Sequence, residues 1–275
     1  LEHHWDELEQ WERRYFEREQ SDLGILYNQW QEKWLKSLNQ KRKRQVLSLL
    51  DNCLVHLQAG LLHSRSFEET KKRVYTHARI FHPSISSAEA LRQLSIEQAN
   101  YLADQLMAKQ RLLSVGQGGV TGLGGLFFLA ADLPALMAIQ LRSLQQLAFV
   151  YGYDCHHPME QMVMLKLYHL ATLPKKYQKS EWDKLLEESL AHQQAIFYEG
   201  DDSIIQEEWL QRFTPQLAKS FLITILRRKT VQFVPLFGVV VGAGMNYALT
   251  KQVIEVGQHF YLKRRLLDLA SDRIT

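Results

Sequence analysis

Apolar residues recur at three- and four-residue steps along nearly the whole chain, and alternating β-branched runs do not recur. Trp5, Leu8, Trp11 and Tyr15 make one aromatic stripe, so residues 3–58 predict long amphipathic helices with a break near Ser21-Asp22-Leu23-Gly24. Three capping-box starts follow: Ser66-Phe-Glu-Glu69, Ser86-Ser-Ala-Glu89 and Ser95-Ile-Glu-Gln98. In each, the serine hydroxyl can accept an orphan helical N–H while the acid or amide reaches back. His82-Pro83 should end the helix begun near 67, because a residue before proline avoids the helical basin. A helix over 96–113 leads into a block with glycine at 116, 118, 119, 122, 124 and 125. Asp132 before Leu133-Pro134 then predicts an N-cap opening a fresh helix. Leu133, Leu136, Met137, Leu141, Leu144, Leu147, Ala148 and Tyr151 line its apolar side, and Gly152 stops it. Further helices are expected over 158–172, 181–198, 203–212, 214–228 and 236–270. The fold class is all-α.

Two stretches stand apart by their lack of charge. Between Arg111 and Asp154 only Asp132 and Arg142 are charged, and residues 230–250 carry no charge. Both runs reach the roughly 20 residues that cross a bilayer. Gly118 and Gly122, like Gly238 and Gly242, recur at the four-residue spacing that lets two helix backbones meet. The expected architecture is two central glycine-rich helical hairpins wrapped by amphipathic helices. Gln117, Thr121 and Gln232 dilute the hydrophobicity, and a mid-membrane aspartate costs about 2.5 to 3.5 kcal/mol. A buried core, a shallow membrane-surface element and a true span therefore stay open, in that order.

Composition changes this picture little. Hydrophobic residues make up 46% and charged residues 23%, an ordinary globular balance. A net charge of +3 without an interleaved basic-aromatic module argues against a nucleic-acid partner. Two cysteines, Cys53 and Cys155, fit a reducing compartment, and the acidic start is no secretory signal, so a cytoplasmic location is expected. Five basic clusters, at 41–44, 71–73, 175–176, 227–229 and 263–265, read either as solvated faces or as contacts to an anionic membrane surface.

Candidate chemistry is sparse. No His-Glu-x-x-His, Cys-x-x-Cys, Gly-x-Ser-x-Gly or phosphate-loop ending is present, so no catalytic residue, metal or cofactor is expected. Cys155-His156-His157 lacks a distant partner ligand and reads as an interhelical loop with solvated side chains. Asp132 and Arg142 read as a helix cap with a structural ion pair, or as a polar pair lining a cavity for a ligand headgroup. Tyr151, Tyr153, Asp154, Asn246 and Tyr247 are further polar candidates that could tie helices together.

Several separated blocks agree in order: Ala99–Lys109, the glycine block, Ala131-Asp-Leu-Pro-Ala135, Tyr151-Gly-Tyr-Asp154 and Val234–Tyr247. Together they resemble the EcsC family of bacterial proteins over roughly residues 90–265, within one domain spanning 1–275 whose first 60 residues supply amphipathic helices. Cys155-His156-His157 departs from the family pattern, and residues 174–212 match none of its blocks. The resemblance implies a non-enzymatic accessory protein at the cytoplasmic face of a bacterial membrane, associated with an ABC transporter. The alternative is a helical carrier or sensor holding an apolar or lipid-like ligand between its central helices.

Overall fold

The computed structural model describes residues 2–17, 60, 64–121, 125–173, 175–194 and 235–271; for 116–121, 125–134, 176, 192–194 and 235–245 it describes the backbone alone. Seven α-helices and no strand occur among these residues. They are α1 (Glu2–Phe16), α2 (Arg65–Phe81), α3 (Ile96–Thr121), α4 (Gly125–Val150), α5 (Pro158–Thr172), α6 (Lys175–Gln194) and α7 (Pro235–Ser271), with a 3-10 helix at Glu89–Gln93 before α3. The all-α expectation is met. The first of the helices expected over 3–58 is α1; the rest of that stretch, the helices expected over 203–212 and 214–228, the break near Ser21, the clusters at 41–44 and 227–229, and Cys53 lie outside the described residues.

α3, α4 and α7 form the centre, and side-chain pairs fix their register. Gln140 Nε2 donates to Thr250 Oγ1 over 3.4 Å, and Tyr153 OH donates to Asp268 Oδ2 over 3.1 Å. Between them, Gly257 sits so close to α4 that a Cβ there would lie 2.4 Å from Leu144 Cδ2 and 3.1 Å from Leu147 Cδ1. Numbers rise together in these three contacts, so α4 and α7 run parallel. α3 runs antiparallel to both, since Gln110 Nε2 donates to Gln146 Oε1 at 3.0 Å while Tyr151 OH donates to Asn100 Oδ1 at 2.5 Å. α2 lies across α3 and α4, and α5 and α6 pack against α7. α1 closes over α7 and α6 through Trp11, whose ring stacks on His259 at 3.8 Å and meets Trp182 at 5.6 Å.

Local signals explain most helix ends. Ser95 and Gln98 form a complete capping box: Ser95 Oγ accepts from the Gln98 N–H at 3.3 Å, and Gln98 Oε1 accepts from the Ser95 N–H at 2.9 Å. α2 stops at His82 as expected before Pro83. Gly152, at φ 85, ends α4 in a Schellman turn, with the Tyr153 N–H reaching Ala148 O at 2.9 Å and its own N–H reaching Phe149 O at 3.0 Å. Pro158 opens α5 where its missing N–H costs nothing, and His157 Nδ1 accepts from the Met159 N–H at 3.3 Å.

Several boundaries differ from the sequence reading. Ser64, not Ser66, caps α2, its hydroxyl accepting from the Phe67 N–H at 3.2 Å. Ser87 rather than Ser86 serves the 3-10 helix, accepting from the Ala90 N–H. α6 starts at Lys175 instead of 181; Ser180 is inside it and donates back to Tyr177 O at 3.1 Å, as helical serines do. α3 continues through Gly116–Thr121, so the first half of the glycine block is helix. Most consequentially, Asp132 is no N-cap. α4 is continuous from Gly125 to Val150, and Asp132-Leu133-Pro134 lies inside it. Proline there removes one internal hydrogen bond, a local cost that the packing of α4 against α3 and α7 outweighs. Gly238, Gly242 and Gly244 of the second glycine block lie within α7, and the helix expected to precede it is outside the described residues.

Candidate functional site

Two polar assemblies occupy the described interior. The first surrounds the Tyr151-Gly-Tyr-Asp154 corner. Glu160 on α5 and Arg264 on α7 are 5% and 2% exposed, and Arg264 Nη1 donates to both carboxylate oxygens, at 2.9 and 3.1 Å. Tyr261 OH donates to the same carboxylate at 2.7 Å, and the Tyr153 ring lies under the guanidinium at 4.0 Å. Burial alone would lower the Arg264 pKa, and the adjacent Glu160 reverses that, so the net direction is up. Burial pushes the Tyr151, Tyr153 and Tyr261 hydroxyls up, out of the physiological range. Arg92 joins the corner from the 3-10 helix, donating to Gly152 O at 3.1 Å and facing Asp268 at 3.8 Å.

Cys155 corrects an expectation. Its side chain is buried rather than solvated, its thiol donates to Gln145 O at 3.2 Å, and burial raises its pKa well above the usual thiol value. A thiol held neutral in this way is inert. His156 and His157 are exposed as expected. No group of three or more histidines, cysteines and acids among the described residues is placed to hold a metal ion. The corner thus has charge, aromatic rings and a thiol in one place, with Glu160, Arg264, Tyr151, Tyr153, Tyr261 and Cys155 all buried and bonded within the protein. Its chemistry is that of a lock.

The second assembly is a polar layer across the three central helices. Gln146 bridges Gln110 and Thr70, donating to the threonine hydroxyl at 3.1 Å. Gln140 accepts from Tyr168 OH at 3.1 Å while donating to Thr250. Ser114, Ser143 and Asn246 are also buried at this level. Beyond Gln140 and Thr250, α4 and α7 each continue toward their N-termini for roughly fifteen residues, about 22 Å, in the same direction. α3 arrives at the same end with its C-terminus. One end of the bundle therefore gathers three helical segments, 112–121, 125–141 and 235–250, that contain a single charge, Asp132.

The singled-out residues fall as follows. Tyr151 and Tyr153 are buried in the corner, and Asp154 is exposed, its carboxylate accepting from the His156 N–H at 2.9 Å. Asn246 is buried on α7 and Tyr247, one residue on, is exposed. Arg142 is half-buried with its Nε lacking a hydrogen-bond partner, and this partial burial lowers its pKa. Asp132 and Arg142 share one continuous helix ten residues apart, about 15 Å along its axis, which rules out the direct ion pair between them. Gly118 is inside α3, and Gly238 and Gly242 are inside α7, while Gly122 lies outside the described residues. The glycine seen at a helix crossing is Gly257, which no spacing rule had picked out. Sequence reading also missed the Glu160–Arg264 pair. The basic run 263–265, expected on a surface, is consumed internally: Lys263 binds Glu12, Arg264 binds Glu160, and Arg265 donates to Arg92 O.

A cleft of about 80 Å³ between α2 and α3, lined by Arg73, Val74, His77, Leu102, Leu106 and Lys109 among others, is far below the 300–1,000 Å³ of ligand pockets. It lends no support to a carrier. No described helix is long and apolar enough to cross a membrane.

Residues 2–266 match the profile of the EcsC protein family. The chain belongs to the EcsC family. It is 30% identical over 182 residues to the uncharacterized protein YdbA of Bacillus subtilis (strain 168), a match covering 66% of this chain and 63% of that protein. It is 26% identical over 179 residues to protein EcsC of the same strain, covering 65% and 69%. The chain thus spans slightly less than two thirds of YdbA. No solved structure matches it. In this EcsC-family chain the matched stretch includes α1, α3, α4, α7 up to residue 266 and the Glu160–Arg264 pair.

Proposed function

We propose that this EcsC-family chain is a non-enzymatic accessory protein that works at the cytoplasmic face of a bacterial membrane, docking peripherally through the uncharged end of its three central helices. The supporting observation is the convergence of segments 112–121, 125–141 and 235–250 at one end of the bundle. Helix ends with one charge among three segments have little to gain from water, and embedding them at an interface removes apolar surface from solvent. The buried corner at the opposite end supports this division of labour, since its ionisable groups hold helices together and face no substrate. Association with an ABC transporter rests on the family resemblance alone and supplies the reason for being at the membrane.

The test is hydrogen exchange of the full chain, purified without detergent, with and without phospholipid vesicles. Amides of 112–134 and 235–250 should gain protection when vesicles are added, while α1, α5 and α6 stay unchanged. Protection confined to α1, α5 or α6, or none with any vesicle, refutes the docking mode.

A further inference from the structure

Following α3, α4 and α7 toward the charge-poor end, where Asp132 is the single charge, the charged residue that borders it is basic on every helix: Arg111, Arg142 and Lys251, with Lys109 half a turn before Arg111. The register brings them to one level. Gln140 bonds to Thr250, so Arg142 and Lys251 sit beside that pair, and Gln110 bonds to Gln146, one turn along α4 from Arg142. We propose that these four side chains form a collar that binds the phosphates of anionic lipids and sets the depth at which the uncharged end rests. The proposal rests on the membrane-docking reading and adds the lipid chemistry to it.

Three observations carry it. The first is availability. Lys71, Lys166, Lys179, Lys184, Lys263 and Arg264 are each paired with a carboxylate. Lys109, Arg111, Arg142 and Lys251 make no side-chain hydrogen bond or ion pair with any described residue, while the nearby acid Glu255 is engaged by Trp11 Nε1 at 3.0 Å. The second is what lies next to the collar on the side of the uncharged end. Leu112 is 72% exposed, and Leu113, Val115 and Tyr247 are 45%, 38% and 39% exposed. Large apolar side chains and a tyrosine just beyond a ring of cations match the order of layers in a leaflet, phosphate first and acyl boundary next. The third is length. From Arg142 to the start of α4 is about 25 Å, short of the roughly 30 Å hydrocarbon core, so the collar would stay at the headgroups of the leaflet it approaches. Asp132, some 15 Å past Arg142, would reach the middle of that core if the helices stood upright, so the end rests tilted along the interface with Asp132 near the headgroups.

The experiment uses vesicles of phosphatidylcholine with and without about a third phosphatidylglycerol, and the full chain in four forms. Each cation near an anionic leaflet is worth about fivefold in binding, so Arg142→Gln/Lys251→Gln should bind the anionic vesicles about 25-fold more weakly than the parent. Lys109→Gln/Lys251→Gln, which alters only exposed side chains, should weaken binding as much and covers the case in which a change at half-buried Arg142 perturbs folding. Arg13→Gln/Lys184→Gln removes the same charge from α1 and α6 and should bind within twofold of the parent. If the parent binds but the collar variants bind equally well, or the control weakens equally, the collar is wrong while membrane docking stands. If the parent binds neither vesicle, the docking reading itself falls.

Discussion

Removing one member of the Glu160–Arg264 pair should be among the most damaging single changes available in this protein. Both residues are at most 5% exposed, the guanidinium nitrogen Nη1 touches both carboxylate oxygens within 3.1 Å, and Tyr261 OH adds a third bond. Glu160→Gln leaves a buried guanidinium without its counter-charge, and Arg264→Met leaves a buried carboxylate whose remaining partner is a single hydroxyl. Either change should cost about 3–5 kcal/mol, because an unpaired charge in this environment has lost water and gained nothing in return. The double change Glu160→Leu/Arg264→Met removes both charges and keeps apolar volume. It should be far less harmful than the sum of the singles, close to neutral or better. Urea unfolding of the parent, two singles and the double, read by far-ultraviolet circular dichroism, gives the coupling directly. Singles costing under 1 kcal/mol, or a double that is simply additive, would refute the claim that this corner is sealed and held by the pair.

Gly152→Ala should cost more than Gly257→Ala. At Gly152 the left-handed backbone adds about 1–2 kcal/mol for any residue with a Cβ, and that Cβ would lie 2.5 Å from Arg92 Cγ and 3.2 Å from its backbone nitrogen. At Gly257 the clash is with the flexible ends of Leu144 and Leu147, so overpacking of about 1–3 kcal/mol is expected; equal losses in denaturant melts would contradict this ranking. His259, stacked on Trp11, has its pKa lowered by burial, against a raising hydrogen bond to Glu255 O, and His169 is lowered by burial too. Their neutral forms are preferred when folded, so stability should be full above about pH 6.5 and fall as pH drops through the lowered folded values. His259→Gln should flatten that slope between pH 5 and 8, and an unchanged slope would show that the ring does not titrate on unfolding.

Much of the helical plan was legible because helix ends are local events. Pro158, Gly152, the Ser95–Gln98 box and His82-Pro83 each act within a turn or two of chain. Asp132 failed because its local signal, an acid just before Leu-Pro, competes with a packing term that no window of sequence contains. The basic residues misled for a related reason. Runs such as 263–265 draw the eye, yet a helix sends neighbouring residues to different faces, and these three reach Glu12, Glu160 and the Arg92 carbonyl. The isolated cations at 109, 111, 142 and 251 have no pattern until the register of three helices aligns them. Cys155 looked solvated from its histidine neighbours, and its burial depends on a carbonyl ten residues earlier, across the α4 turn.

α1 docks on α7, the last of the described helices in chain order. Trp11 bonds Glu255 and Glu12 bonds Lys263, across more than 240 residues of chain. During synthesis at about 5–20 residues per second, the aromatic face of α1 must wait on the order of 10–50 s before its seat exists. Over that interval it is an exposed amphipathic helix bearing Trp5, Leu8 and Trp11, next to a ribosome and within reach of chaperones or a membrane. The closing of α1 onto α7 therefore joins two segments that leave the ribosome far apart in time, and anything bound to that aromatic face in the interval would have to be released first.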